Sequence, residues 1–193
     1  MRTPTRLLTV LALVCAGCVS TAELQEGVRV QAPVPPDTQS VVIRPTVLRA
    51  DAVKNVEGLT DAPQVFARSL RDALQKQRPT WESTLADAQS VVPERGIAIT
   101  TELLNIDGGS AALRFWIGLG TGAAESSVKV SVLDRTGGEL ATAQIANRTI
   151  CPVGACVESN EETVRRNLDS LAAETAAFII DPAAYQKKKP SAP

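Results

Sequence analysis

Residues 126–134 alternate Val128, Val130 and Val132 with Ser127, Lys129 and Ser131. Successive side chains of a strand point to opposite faces, so this spacing predicts a strand with one dry face and one wet face. Arg135-Thr136-Gly137-Gly138 follows as a turn, and residues 140–149 return as the hairpin partner. Residues 96–106 carry Ile97, Ile99, Thr101 and Leu103 on alternate positions and predict another strand. Residues 40–48 are apolar and β-branched, a further strand in which Pro45 marks an edge or a bulge.

Twice the period lengthens to that of a helix. Over residues 61–77, Phe66, Leu70, Ala73 and Leu74 share one stripe, while Arg68, Arg71, Asp72 and Lys76 face water. Asp61 is placed to cap this helix, Pro63 is tolerated in its first turn, and Pro79 stops it. The second helix opens at Ser159 with Glu162 three residues on, the spacing of a capping box. Its stripe is Val164, Leu168, Leu171, Thr175, Phe178 and Ile179, and Asp181-Pro182 ends it. Residues 80–93 follow neither period and leave room for one further helical turn around residues 81–88. The order strand, helix, three strands, helix predicts an α+β two-layer sandwich: a mostly antiparallel sheet with two helices on one face. That domain is expected over residues 39–182, followed by a disordered tail over 183–193.

The chain begins with a different pattern. Arg2 and Arg6 precede an apolar run from Leu7 to Val14, and Ala16-Gly17 leads to Cys18. A charged start, a short apolar core and small residues at a cleavage point read as an export leader over residues 1–17. The run is shorter than the roughly 20 apolar residues that span a bilayer as a helix. Ending on cysteine, the leader resembles a bacterial lipoprotein signal, which implies that Cys18 carries lipid and becomes the new N-terminus. Cys15 stands where such signals usually have an aliphatic residue, and an ordinary secretory signal cut nearby is the alternative. Val19, rather than Asp, at the second position implies by the same resemblance an outer-membrane protein facing the periplasm. Residues 18–38 are polar and contain Ala32-Pro-Val-Pro-Pro36, which reads as a flexible tether.

Composition narrows the function classes. Of 193 residues, 44% are hydrophobic, enough for a core, and none is histidine. Loss of Arg2 and Arg6 with the leader shifts the net charge from −1 to −3, which gives no electrostatic case for nucleic acid. Lys187-Lys188-Lys189 reads as a solvated tail, with a membrane-surface contact as the rival. With Cys15 in the leader and Cys18 under lipid, Cys151 and Cys156 remain as a pair. In an oxidising compartment Cys151-Pro-Val-Gly-Ala-Cys156 reads as a short-loop disulfide. A zinc site lacks its histidines or second cysteine pair, and a redox motif wants two intervening residues, not four. No metal and no cofactor are expected.

No histidine is present for acid–base work and no nucleophile elbow occurs, so an enzyme is not expected. Glu94, Glu102, Asp107 and Asp134 are the carboxylates available for a catalytic pair, and solvated strand ends explain them more simply. The unusual stretch is residues 111–124, with Arg114, Phe115 and Trp116 beside Gly118, Gly120 and Gly122. No lysine follows the glycines as a phosphate loop requires. Three readings stand: a close crossing of two backbones, an apolar loop that docks on a partner or membrane, or a strand alternating Leu113, Phe115, Ile117 and Leu119.

Residues 114–124, with the strand Val128-Lys-Val-Ser-Val-Leu-Asp134 and the turn Gly137-Gly-Glu-Leu140, resemble the bacterial lipoprotein family called domain of unknown function 4410. The resemblance covers residues 40–180 and implies no activity. The expectation is therefore a lipid-anchored envelope protein, bound to the membrane through Cys18, acting as an interaction or assembly module toward an unidentified envelope protein. The rival is a periplasmic domain that binds a small ligand.

Overall fold

The computed structural model describes residues 19–24, 27–57, 59–116, 122–150 and 159–186, with the backbone alone for 19–24, 114–116 and 150. The strands are β1 (Val19–Leu24), β2 (Arg29–Val30), β3 (Ser40–Ile43), β4 (Val47–Leu48), β5 (Val53–Lys54), β6 (Glu82–Leu85), β7 (Gly96–Asp107), β8 (Ala124–Leu133) and β9 (Glu139–Ile150). The helices are α1 (Ala62–Gln77), α2 (Ala111–Trp116), α3 (Asn160–Ile180) and α4 (Pro182–Gln186).

β7, β8 and β9 form an antiparallel meander in which Thr101 faces Val130 and Val130 faces Ala143. The β8–β9 turn is built on Asp134, whose Oδ1 accepts from the Thr136 amide and hydroxyl, each at 2.7 Å, and from the Gly138 amide at 2.8 Å. The Thr136 hydroxyl, and after it the Gly138 amide, holds this carboxyl below the ordinary range. β1 and β2 both pair with β9 at one edge. At the other side β3, β4 and β5 lie in succession along β7, and β6 lies outside β3.

These outer pairs are all parallel, so the sheet is mixed where a mostly antiparallel one was expected. The reason is α1. A helix between two strands carries the chain back along the sheet, so the next strand runs the same way as the first. The strand at residues 40–48 is split by Arg44-Pro45-Thr46 into β3 and β4, consistent with a proline that cannot donate to the ladder. Residues 82–85 are extended and not helical, because the amides of Glu82 and Ala86 donate to the Gln39 and Ile43 carbonyls at 2.8 and 3.0 Å. Trp81 is buried beside them with Arg78 5.9 Å over its ring. The residues expected as a tether include β1 and β2, each hydrogen-bonded to β9. Of the expected tail, residues 183–186 belong to α4, where Tyr185 is buried edge-on against Phe178 with ring centroids 5.6 Å apart.

One cluster makes the core. Ile99, Leu103, Val128, Val130, Val132 and Ile145 come from the sheet, Phe66, Leu70 and Leu74 from α1, and Leu168, Leu171 and Phe178 from α3. Each such side chain contributes about 1.5–3 kcal/mol by leaving water. α3 packs on β8, β9 and β1, and α1 packs on α3 and β6. The opposite face of the meander carries Glu102, Lys129, Ser131, Thr142 and Gln144, the wet half of the alternation. α3 starts on its capping box: the Glu162 amide donates to Ser159 Oγ at 3.2 Å and the Ser159 amide to Glu162 Oε2 at 3.0 Å. Asp61, expected to cap α1, makes no such bond. Its carboxylate meets Arg165 of α3 at 3.3 Å, so an ion pair between helices replaces the cap.

Candidate interaction site

The β7–β8 connection is held at its base by a small set of polar bonds. Asp107 ends β7, and its Oδ1 accepts from the Gly109 amide at 2.8 Å and from Asn55 Nδ2 at 2.9 Å. Asn160, the first residue of α3, donates to the Asn55 and Gly109 carbonyls at 3.0 and 3.4 Å. Asn55 itself has φ 56, a left-handed conformation that asparagine tolerates better than most residues. The two arms of the connection touch at Gly109, with φ +61. A Cβ there would lie 2.3 Å from the carbonyl oxygens of Gly122 and Ala123. The Ser110 amide closes the contact onto the Gly122 carbonyl at 3.1 Å, and Ser110 Oγ accepts from the Leu113 amide at 3.3 Å to start α2.

Residues 111–116 are thus helical, which overturns the alternating-strand reading at Leu113 and Phe115; Ile117 and Leu119 lie outside the described residues. A serine cap and a backbone crossing won over the short apolar alternation. Close approach of two backbones does occur, but it rests on Gly109 and Gly122. The signal for Gly109 in the sequence is the turn signature Asp107-Gly-Gly-Ser110, which lies outside the Gly118-Gly120-Gly122 run. Arg114, Phe115 and Trp116 occupy the second half of α2, and Gly122 has φ 71. Gly118, Gly120, Cys18, Cys151 and Cys156 lie outside the described residues. Leu113, on the first half of α2, is 41% exposed.

Strand register fixes where this connection sits. Asp107 faces Glu125, Ala124 faces Thr149, and Ile150 faces Val19. The residue next to Cys18, the end of β9 that leads toward Cys151, and the base of α2 therefore share one end of the sheet. Beneath that end the core turns polar. Asn147 Nδ2 donates to the Asn167 backbone carbonyl at 3.0 Å, and Thr149 Oγ1 donates to Asn167 Oδ1, all three residues being buried. Buried amides without such partners are costly, so this set ties β9 to α3 in one register.

The carboxylates weighed for catalysis do not converge. Glu102 faces Lys129 on the wet side of the sheet, Asp107 anchors the α2 connection, and Asp134 holds the turn at the far end. Glu161 lies in the first turn of α3 and pairs with Arg165 at 3.1 Å. No group of three or more metal-ligating side chains occurs among the described residues.

The family model for Domain of unknown function (DUF4410) matches residues 30–151. The chain belongs to this family. The DUF4410 match runs from β2 to the end of β9 and takes in the whole α2 connection. No curated protein matches the chain in sequence. The fold is similar to that of the PelC dodecamer from Paraburkholderia phytofirmans, at 12% identity and a TM-score of 0.51, over 84% of this chain and 99% of that one. A DUF330-family protein from Xanthomonas campestris aligns at 10% identity and a TM-score of 0.49, over 81% and 95% of the two chains. A minor lipoprotein from Acinetobacter baumannii aligns at 13% identity and a TM-score of 0.39, over 74% and 92%. Among the described residues of this DUF4410 chain, no helix is long and apolar enough to cross a membrane.

Proposed function

We propose that this protein is a lipid-anchored interaction or assembly module of the cell envelope, held to the outer membrane through Cys18 and facing the periplasm. The observation that carries the proposal is the shared end of the sheet: Val19, next to Cys18, and the base of α2 are brought together by the pairings of β1, β9, β8 and β7. β1 starts at Val19, so acyl chains on Cys18 would hold this end of the sheet within a residue's length of the bilayer, with no slack between. α2 and its Phe115-Trp116 pair then stand beside the membrane, where an envelope partner or a neighbouring copy is met. A Cys151–Cys156 disulfide would brace the same end. PelC, a chain of similar fold, forms a dodecamer, and we carry assembly over to this chain as part of the proposal.

The test is paired. Cys18→Ser should release the protein from membranes on fractionation, and retention would remove the anchor from the proposal. A photo-crosslinking residue at Leu113 should capture a discrete envelope partner or a second copy, while one at Thr136, in the turn at the far end, should not. Equal capture at both sites, or none at Leu113, would overturn the assignment of α2.

A further inference from the structure

An open groove of about 860 Å³ lies on the other side of the sheet from β1, where β6 ends and α1 begins. Ile43, Pro45, Pro63, Ala67 and Leu85 give it an apolar floor, and Leu85 is 43% exposed there. Arg44 and Arg68 line the same groove. Arg44 Nε is shielded from solvent and has no hydrogen-bond partner, and no carboxylate lies within ion-pair distance of Arg44 or Arg68 among the described residues. Arg68 spends its Nε on the Gln64 carbonyl at 3.2 Å. Two carboxylates also line the groove, but Asp61 is held by Arg165, which leaves Asp87 alone against two guanidinium groups.

A guanidinium stays charged at any physiological pH, and a buried donor without an acceptor is destabilising until something supplies one. Arg44 and Arg68 bring two such charges to a groove with an apolar floor, of the size that takes small molecules. We propose that this groove binds a small amphiphilic anion, a carboxylate or phosphate on an apolar body, with the anion on Arg44 and the body against Ile43, Ala67 and Leu85. Arg68 adds charge at the rim. The site is distinct from the α2 assignment: α2 joins β7 and β8, whereas the groove is lined from β3, β6 and α1.

Isothermal titration of the full chain tests it with octanoate, octyl phosphate and dihexanoyl-phosphatidylglycerol, each below its micelle-forming concentration, and with octanol as the uncharged control. At least one anion should bind, and octanol should bind about tenfold more weakly or not at all. Arg44→Gln should weaken the anion about tenfold or more, the loss of one charge-assisted hydrogen bond, with circular dichroism unchanged. Should Arg44→Gln fail to fold, the rim variant Arg68→Gln carries the test, with an expected loss of about threefold, as for a solvent-screened charge. Preference for the glycerophospholipid over the single-chain anions assigns the ligand to membrane lipid, and the reverse preference to a soluble anion. Absence of binding by all three anions, octanol binding as tightly as they do, or full affinity in the arginine variant would overturn the proposal.

Discussion

Gly109→Ala is the sharpest probe of how the α2 connection is held. Two costs are expected at this position. A non-glycine residue in the left-handed region costs about 1–2 kcal/mol, offset by about 0.4–1 kcal/mol because alanine restricts the unfolded chain. The new Cβ must also push back the Gly122 and Ala123 carbonyl oxygens, which stand 2.3 Å from its place. Moving packed backbone in this way costs about 1–3 kcal/mol. Gly137 supplies the control, because it has φ +89 and nothing within 4 Å of its added Cβ. Gly137→Ala should therefore cost about 1 kcal/mol and Gly109→Ala about 3 kcal/mol. Urea unfolding followed by circular dichroism measures both, as a lowered midpoint at unchanged slope. In a domain of this size each kcal/mol is about 2–4 °C in melting temperature, so heat unfolding should separate them as well. Losses equal within about 0.5 kcal/mol would show that the two arms do not touch at Gly109.

Further predictions address the two ends of α3. Ser159→Ala should cost about 1 kcal/mol in urea unfolding by removing the cap. The Ser159 amide, and after it the hydroxyl, holds the Glu162 carboxyl below its ordinary value of 4.5, so its contribution is present above that value and is lost as pH falls through the lower folded one; Ser159→Ala should flatten this acid limb. At the other end, burial first and Glu174 next push the Tyr185 hydroxyl above its ordinary value of 10.0. A raised folded value means stability is full below pH 10.0 and declines as pH climbs above it, a decline that Tyr185→Phe should lessen in unfolding curves taken across that range. Tyr185→Ala, which removes the buried ring from Phe178, should cost about 3 kcal/mol. A loss near zero would mean that α4 is not docked.

Much of the fold was legible because its signals are local. The valine alternation in β8, the Asp134 turn, the stripe of α3 and the Ser159–Glu162 box each depend on residues a few positions apart, and each stands where the spacing put it. Asp61 shows the limit: its position fits a cap, but a guanidinium on another helix competes for the carboxylate. Residues 82–85 show the same limit, since a short polar segment becomes a strand only when a neighbouring strand offers its carbonyls. Residues 114–122 stand out by composition, whereas the base of the β7–β8 connection is held by Asn55, Asp107, Gly109 and Asn160, which come from three separate parts of the chain.

By itself the sequence determined the principal strands and helices and the face of each that turns inward. These follow from periodicity, capping and charge along a continuous chain. Only the tertiary structure decided that β3, β4, β5 and β6 pair in parallel, that the end bearing Val19 is also the end bearing α2, and that Arg44 and Arg68 line one apolar groove with no carboxylate at ion-pair distance among the described residues. Those facts join residues tens of positions apart, and strand pairing and helix packing across such distances are set by which surfaces fit together, not by any local pattern.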